Sequence, residues 1–195
     1  MAVGTLQKIK QDIVNRFSGA VMFTAEIECA ADELPSIKLG LAVKAAVKAR
    51  AYLAGANLAG ANLAGANLAG ANLADAYLAR ANLADAKNAD YAIAQTRLLP
   101  EGDLIGWKKC SQGIIVKLRI PEAARRSHAF GRKCRAEYAD VIEVIGADVA
   151  ISQHDGRTEY RAGQRVTPDR FDENWQDECS SGIHFFITRL EAENY

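Results

Sequence analysis

The feature that most constrains this chain is a five-residue repeat that starts at Ala51 and is almost exact to Gly70, with leucine at the third position of each unit. A helix turns by about 100° per residue, so leucines five residues apart would be scattered around it and form no apolar face. A flat strand fails as well, because an odd period sends successive leucines to opposite sides. The period therefore predicts a backbone that bends at every repeat and stacks in coils, with each leucine and the alanine two positions before it buried.

The tandem units Ala-(Asn/Asp/Tyr)-Leu-X-X resemble the pentapeptide-repeat family. The resemblance covers residues 51–95 as nine repeats, and the register continues in looser form to Leu98, with Asn88 and Ile93 at the leucine position. It implies a right-handed quadrilateral β-helix with four repeats per turn, here a stack of little more than two coils. Both ends of so short a stack would be exposed, so we expect capping elements.

Composition and charge limit the remaining options. Hydrophobic residues make up 49% of the chain and the formal net charge is zero, which argues against general attraction to nucleic acid. No apolar run is long enough to span a bilayer, and the N-terminus lacks the apolar core of a secretory signal. We therefore expect no membrane contact and a location in the cytoplasm of a host cell or on a virion. The four cysteines are widely spaced, which favours reduced thiols.

Three segments follow from the pattern. Residues 1–50 contain a β-hairpin over 8–29, with its turn at Ser18-Gly19, and a helix over 37–49 with Ser36 as N-cap, which would cover the first coil. A degenerate repeat is the alternative to this helix, but it would turn Lys48 inward. Residues 51–98 form the repeat, and residues 103–195 form an α+β domain, because the alanine repeats stop before Pro100. The predicted fold class is mainly β.

The C-terminal part has strand patterns at 114–120, 139–145, 158–166 and 182–187. The last of these has the composition of a buried central strand, and Thr188-Arg-Leu-Glu191 is a capping-box pattern that opens a short helix to Tyr195. Residues 103–195 also resemble an uncharacterised domain of phage and prophage proteins. Three motifs carry this resemblance: Gly106-Trp107-Lys-Lys-Cys110, Glu159-Tyr160-Arg-Ala-Gly163 and Cys179-Ser-Ser-Gly182-Ile-His184-Phe-Phe. It implies a viral or mobile-element origin and brings no assigned activity.

A basic stretch within residues 117–135 is the main candidate binding segment. Its candidate residues are Arg119, Arg125, Arg126, His128, Arg132, Lys133 and Arg135. Such a run is typical of a phosphate or nucleic-acid site. It is also typical of a solvated face that balances an acidic segment, here residues 169–178, and the sequence leaves both interpretations open.

Two other groups of residues contain the side-chain types of a metal site or of a catalytic site. Cys110, Cys134, Cys179 and His184 are zinc-ligand types, but no close Cys-X-X-Cys pair occurs, so we expect buried structural cysteines, no metal and no cofactor. Ser127, His128 and His154-Asp155 contain the residue types of a hydrolase triad without a nucleophile elbow or a distinctive spacing. We predict no catalytic residues.

The segment Gly182-Ile183-His184-Phe185-Phe186, followed by Glu191 to Tyr195, is similar to a strand and helix of ADP-ribosyltransferases of the poly-ADP-ribose polymerase type. This resemblance implies a nucleotide pocket at His184 and Tyr195, with Tyr195 stacked on nicotinamide. The chain lacks the catalytic glutamate on a later strand and the His-Gly pair of that family. A packed core strand followed by a capped helix is therefore the favoured interpretation.

Some pentapeptide-repeat proteins block topoisomerases by mimicking duplex DNA, which requires a long, negatively charged rod. The repeat here is short, and its acids Asp75, Asp85 and Asp90 are partly balanced by Arg80 and Lys87. DNA mimicry is therefore disfavoured. A polar ladder of Asn57, Asn62, Asn67 and Asn72 is expected on the coil instead, either as solvent-facing scaffold or as a contact surface.

The sequence as a whole predicts a non-enzymatic, phage-type scaffold or binding protein. It would act through contacts with a host or phage protein, or with a second copy of itself along the repeat or at its ends. The alternative is a nucleotide or nucleic-acid binder that uses residues 117–135.

Overall fold

The computed structural model describes residues 5–127, 132–177 and 179–195. The chain divides into two compact units, Met1–Arg97 and Leu98–Tyr195. Strands are numerous and helices are few and short, which confirms the prediction of a mainly β protein. Among the described residues, no helix combines the length and the apolar character that a bilayer crossing requires.

The first unit opens with an antiparallel hairpin of β1 (Leu6–Val14) and β2 (Val21–Ala30). The turn contains the predicted Ser18-Gly19 pair. The Asn15 side-chain oxygen accepts hydrogen bonds from the backbone N–H groups of Phe17 and Ser18, at 2.9 and 3.0 Å. An asparagine that bonds the backbone two residues ahead is a common turn former, so the local sequence accounts for the hairpin.

Helix α1 (Pro35–Lys48) follows, so the alternative of a degenerate repeat is wrong. The predicted N-cap is also wrong: Leu34 occupies that position and Ser36 lies inside the helix. The reason is Pro35, whose fixed φ and missing N–H suit the first helical position and move the start of the helix forward.

The hairpin and α1 cap the first coil of the repeat. The N–H of Asn57 donates to the Val14 carbonyl at 2.8 Å, and the N–H of Asn62 donates to the Ser36 carbonyl at 2.9 Å. Helix α1 approaches closely at Gly40, where a Cβ atom would lie 2.0 Å from the Asn62 carbonyl oxygen. Backbone donors at the exposed end of the stack are thus satisfied by the preceding segment, as the solenoid argument requires.

The repeat pairs with itself at a separation of 20 residues, which is four pentapeptides. Parallel bridges join Asn57 to Tyr77, Asn62 to Asn82 and Asn67 to Lys87. In the first of these, the Leu58 N–H donates to Tyr77 O at 2.9 Å and the Tyr77 N–H donates to Ala56 O at 2.8 Å. Each residue therefore stacks on the equivalent residue four repeats later.

Leucine and alanine side chains fill the interior of this coil. Six leucines are at most 2% exposed and five alanines at most 5%: Leu53, Leu58, Leu63, Leu68, Leu73 and Leu78, with Ala56, Ala61, Ala66, Ala71 and Ala76. At the two ends of the repeat, Ala51 and Leu83 are half-buried. A fully buried leucine contributes about 1.5–3 kcal/mol. The predicted interior of the repeat is confirmed.

The asparagines have a different role from the predicted ladder. Asn57, Asn62, Asn67 and Asn72 belong to successive repeats of one coil, whereas stacked residues are 20 positions apart, so the ladder prediction is wrong. Each asparagine oxygen accepts from the backbone N–H two residues ahead, at 3.0 to 3.2 Å. The asparagines therefore stabilise the bends of the coil from within each repeat.

The repeat register ends earlier than predicted. Asn88 has a left-handed φ of 58°, and helix α2 (Ala89–Ala94) follows it, so Ile93 lies in a helix rather than at an inward leucine position. Gln95 then accepts from the Leu73 N–H at 3.5 Å. The asparagine at the leucine position removes the apolar side chain that the coil interior needs, which explains why the register stops there.

The second unit is built on one antiparallel sheet of seven strands in the order β10-β7-β4-β3-β11-β6-β5. Its strands are β3 (Leu104–Lys109), β4 (Ile115–Ile120), β5 (Arg126–Ser127), β6 (Lys133–Ala136), β7 (Ala139–Ile145), β10 (Arg165–Val166) and β11 (Ile183–Phe186). A second ladder pairs β8 (Ala150–Ile151) with β9 (Glu159–Tyr160), and the 3₁₀ helix Ser111–Gly113 joins β3 to β4.

Several predicted elements of this unit are present. The patterns at 114–120 and 139–145 correspond to β4 and β7, and the apolar run at 182–187 contains β11, which is buried throughout and lies between β3 and β6. The capping box at Thr188 and Glu191 is formed and opens α3 (Arg189–Glu193). The stretch 158–166 holds two short strands rather than one, and β3 and β6 were not predicted.

Candidate functional site

A pocket of about 200 Å³ lies where the pairing of β3 with β11 ends. Its lining residues come from β3, β6, β11, the segment after β8 and the segment after α3: Lys108, Lys109, Lys133, Gln153, His154, His184, Phe186 and Tyr195. Five separate stretches of the chain therefore contribute to one cavity.

Strand pairing explains why a cavity forms here. β11 pairs with β6 through four residue pairs, but with β3 through a single pair, Phe186 with Trp107. On the far side of that pair, Lys108 and Lys109 on one strand and His184 on the other line the pocket instead of continuing the ladder. Lys109 Nζ also donates to the Glu193 carbonyl at 3.0 Å, which ties the end of α3 to the rim.

The lining carries three lysines, and none of the lining residues that the structure describes has an acidic side chain. Lys108 is buried, with its Nζ 3.5 Å from the His184 carbonyl oxygen and 5.6 Å from the centre of the Tyr160 ring. Burial lowers the pKa of Lys108, because a charged ammonium loses solvation there. An anion inside the pocket would restore favourable electrostatics to this group.

Aromatic rings form one wall of the pocket. The rings of Phe186 and Tyr195 are 5.0 Å apart. Lys133 Nζ lies 4.5 Å from the centre of the Tyr195 ring and donates to its hydroxyl oxygen at 2.5 Å. The cation is thus held beside a flat apolar surface, which combines charge recognition with ring stacking.

His184 is a second buried polar group of the site, beside Lys108. It is 7% exposed, and its Nε2 has no hydrogen-bond partner among the described residues. Burial, with the nearby charges of Lys133 and Lys108, lowers the pKa of His184 to about 3. Its ring meets that of His154 edge-on at 5.8 Å. Since buried polar atoms are nearly always hydrogen-bonded, this nitrogen is available to a ligand.

Among the described residues, Ser127 and Asp155 of the weighed hydrolase set each have other hydrogen-bond partners. The Ser127 hydroxyl accepts from Arg135 at 3.0 Å, and His128 lies outside the described residues. Asp155 accepts from the backbone N–H groups of Arg157 and Thr158, both at 3.1 Å, within its own turn. Burial raises the pKa of Asp155, but these bonds and the Thr158 hydroxyl lower it more, so its net pKa lies below the usual range.

The basic segment 117–135 is divided among β4, β5 and β6, and its arginines have partners. Arg119 pairs with Asp140 and Arg125 with Glu137, both at 2.7 Å, while Arg132 pairs with Glu191. Arg125 also pairs with Glu173, within the acidic segment 169–178. Of the predicted residues that the structure describes, Lys133 lines the pocket, and His128 lies outside the described residues.

Two further arginines of the set support the fold locally. Arg126 donates to the carbonyls of Pro100, Gly102 and Pro121 at 2.6 to 3.1 Å. Arg135 is 1% exposed and donates to the Asn174 carbonyl at 2.8 Å. Ligand binding by these residues stays a prediction.

The cysteines are not gathered into one site. Cys110 and Cys134 are buried, Cys179 is exposed, and none of the three is in a disulfide. Burial raises the pKa of Cys110 to about 11, as expected for an unreactive core thiol. Within the described ranges, no group of three or more His, Cys, Asp or Glu side chains is placed to hold a metal ion.

The structure brings together His184 and Tyr195, the two residues of the predicted nucleotide pocket, and adds residues that the sequence did not indicate. Gln153, His154, Lys108, Lys109 and Phe186 were missed. The adjacent lysines directly after Trp107 were the one available signal, since two lysines at the end of an otherwise apolar strand are unusual for a core element.

Two segments of the chain match known protein families. Residues 49–87 match pentapeptide repeats in eight copies, so this is a β protein that contains a pentapeptide-repeat segment. Residues 94–192, half of the chain, match a family of unknown function, DUF5758, and the chain belongs to that family. No curated protein and no solved structure matches the chain significantly.

Proposed function

We propose that this protein is a non-enzymatic scaffold that acts through protein–protein contacts made by its pentapeptide segment. The proposal includes the finer architecture of that segment, a short right-handed quadrilateral β-helix. The 20-residue pairing interval and the buried leucines support it. With four repeats in each turn of the coil, each of the four sides contributes one inward-facing leucine. A coil of this kind needs no ligand to hold its shape and offers its outer residues as a fixed contact surface.

The observation that carries the proposal is an aromatic cluster where the hairpin turn meets the repeat, which we call the Arg16 cluster: Arg16, Phe17 and Tyr77. The Arg16 guanidinium lies 4.9 Å from the centre of the Phe17 ring and 4.8 Å from that of Tyr77, and donates to the Asp75 carbonyl at 3.3 Å. Phe17 is 75% exposed. Arginine and aromatic residues are the types most enriched among residues that dominate binding energy at protein interfaces.

The test compares capture of partner proteins by the tagged full-length protein and two variants. Phe17→Ala should remove a bound partner, whereas Tyr91→Ala, which alters another exposed aromatic ring, should retain it. Binding should also persist when the salt is raised from about 0.1 M to about 0.5 M, since apolar contacts are not screened. If Phe17→Ala retains every protein that the unaltered chain captures, the Arg16 cluster is not the contact surface.

The alternative function is binding of a nucleotide or nucleic acid through residues 117–135. One observation favours it: the side chains of Arg119 and Arg125 are about half exposed, and exposed ion pairs are weak enough to exchange for phosphate. Such binding should weaken steeply with salt and with Arg125→Ala. Arg126→Ala is a poor probe, because that side chain donates to four backbone carbonyls, those of Pro100, Gly102, Ile120 and Pro121.

The proposal extends to origin and location. The resemblance of residues 103–195 to a domain of phage and prophage proteins supports a phage-type role, with a host or phage protein as partner. The site of action would be the host cytoplasm or the virion. Recovery of the protein with purified particles, or its absence from them, separates these two locations.

A further inference from the structure

We infer that the pocket beside β11 binds a small phosphate monoester that carries one flat ring. This function is separate from protein contacts at the Arg16 cluster, which lies in the other unit of the chain. Four features of the pocket support this inference: its charge, an available hydrogen-bonding group, a flat aromatic wall and its volume.

The charge of the pocket selects for an anion. Lysine ammonium groups are compact point charges that bind phosphate without a fixed geometry. Lys108, Lys109 and Lys133 all line the cavity, and within the described ranges its lining includes no acidic residue. A phosphate monoester carries close to two negative charges at neutral pH, and so matches several lysines better than a singly charged carboxylate does.

His184 supplies a group suited to a phosphate oxygen. Its imidazole is more than nine-tenths buried and its Nε2 has no partner among the described residues. A neutral imidazole has one N–H donor, and which nitrogen carries the proton is set by the available acceptor. A phosphate oxygen in the pocket would be that acceptor for Nε2.

The rings of Tyr195 and Phe186 supply the flat wall, 5.0 Å apart and next to the Lys133 ammonium. The cavity of about 200 Å³ also limits the ligand. Drug-sized ligands occupy pockets of about 300–1,000 Å³, so this one suits a single ring with one phosphate rather than a dinucleotide such as NAD.

The first experiment measures binding of three probes to the full-length protein by calorimetry at pH about 7.5, where a phosphate monoester is mostly a dianion. The probes are phenyl phosphate, inorganic phosphate and benzyl alcohol. We expect phenyl phosphate to bind best, inorganic phosphate about tenfold or more weakly, and benzyl alcohol not measurably. Equal binding of both phosphates would overturn the inferred ring site, and no binding of phenyl phosphate would overturn the inference as a whole.

The second experiment compares two lysine variants with the same probe. Lys133→Gln should weaken phenyl phosphate binding about tenfold or more, as expected for the loss of one bond to a charged group. Lys117→Gln is the matched control, because Lys117 also lies beside an aromatic ring, that of Trp107 at 5.6 Å, but does not line the pocket. Equal losses in the two variants would show that the probe responds to net charge alone.

A third measurement does not depend on any variant folding. In the unaltered protein, phenyl phosphate should shift the imidazole NMR signals of His184, because the phosphate would contact that ring. Saturation of binding with no change in these signals would place the probe elsewhere and overturn the assignment. Since partner capture at the Arg16 cluster uses other residues, failure here leaves the proposed scaffold function intact, and the converse also holds.

Discussion

The fifth residue of each repeat has a backbone conformation that glycine adopts more easily than other residues. Gly55, Gly60, Gly65 and Gly70 have φ of 61° to 74°. The equivalent positions of the second coil hold Asp75, Arg80 and Asp85 at φ of 54° to 56°, so the fold tolerates a side chain there at a cost. The sequence shows glycine at these positions, and the structure shows that a Cβ at Gly60, Gly65 or Gly70 would meet no atom within 4 Å, so positive φ rather than lack of space is the reason there.

Replacement of Gly60 tests that reason. A Cβ at Gly60 would meet no atom within 4 Å, so the penalty of Gly60→Ala is conformational and should lower the free energy of unfolding by about 1 kcal/mol. Gly60→Asn is the matched variant, since asparagine tolerates left-handed φ and should lose less. Urea unfolding of both variants measures the difference. An alanine variant as stable as the asparagine variant would show that positive φ costs nothing at this bend.

His184 makes stability depend on pH. Burial and the surrounding Lys133, Lys108, Arg135 and His154 lower its pKa to about 3, whereas a histidine in an unfolded chain has a pKa of about 6.5. Between these values the unfolded chain binds more protons than the folded chain, so stability falls as the pH falls. From pH 7 to about pH 5 we expect a loss of about 2 kcal/mol from this residue.

Chemical unfolding at the two pH values measures this loss, and His184→Gln should remove most of it. Carboxylates with lowered pKa, such as Asp140 at about 2, lose their contribution only at lower pH, below the unfolded value of about 3.9. They therefore do not obscure the histidine. If His184→Gln keeps the same pH dependence as the unaltered protein, the buried imidazole is not its source.

At the scale of elements, helix α1 lies against the first coil at a glycine. Gly40 is buried in the helix, and a Cβ there would lie 2.0 Å from the Asn62 carbonyl oxygen. The sequence predicts the helix from its apolar spacing, but not which residue touches the coil, because that depends on how the two elements dock.

Replacement of Gly40 separates helix propensity from packing. In an isolated helix, glycine to alanine adds about 1 kcal/mol of stability. Here we expect Gly40→Ala to destabilise the protein by about 1–3 kcal/mol, the usual cost of overpacking, as measured by thermal or urea unfolding. Ala45→Gly, at a half-buried position of the same helix, is the control for helix propensity without a close contact to the coil. A more stable Gly40→Ala variant would contradict the close approach of α1 to the coil.

The strands of the second unit differ in how clearly the local sequence predicts them. Strands with a strongly apolar sequence, such as β4 and β11, were predicted, because the side chains of a buried strand are mostly apolar. Where β6 lies, the sequence predicts only a basic segment, because Lys133 and Arg135 interrupt the apolar pattern of a strand. Arg135 is buried in spite of its charge because backbone and hydroxyl oxygens of other segments accept from it, and those partners are set by the fold.

The balance between acidic and basic residues in the sequence is not kept in every region of the folded chain. The chain has 24 basic and 24 acidic residues. Most arginines of the basic segment meet acids from other strands or loops, as Arg119 meets Asp140, whereas the pocket gathers three lysines without a lining carboxylate. A net charge of zero therefore coexists with a strongly cationic cavity.

The sequence by itself determined the coil, because its five-residue period makes each repeat bend and bury its leucine in the same way, so the information is local and repeated. It also determined the capped helix α3 and the buried strand β11, through patterns within a few residues. The formation of the pocket depends on the tertiary structure. Lys108 and His184 are 76 positions apart in the sequence and are brought together by strand pairing, which no local pattern encodes. The candidate site thus depends on long-range register, whereas the scaffold depends on short-range repetition.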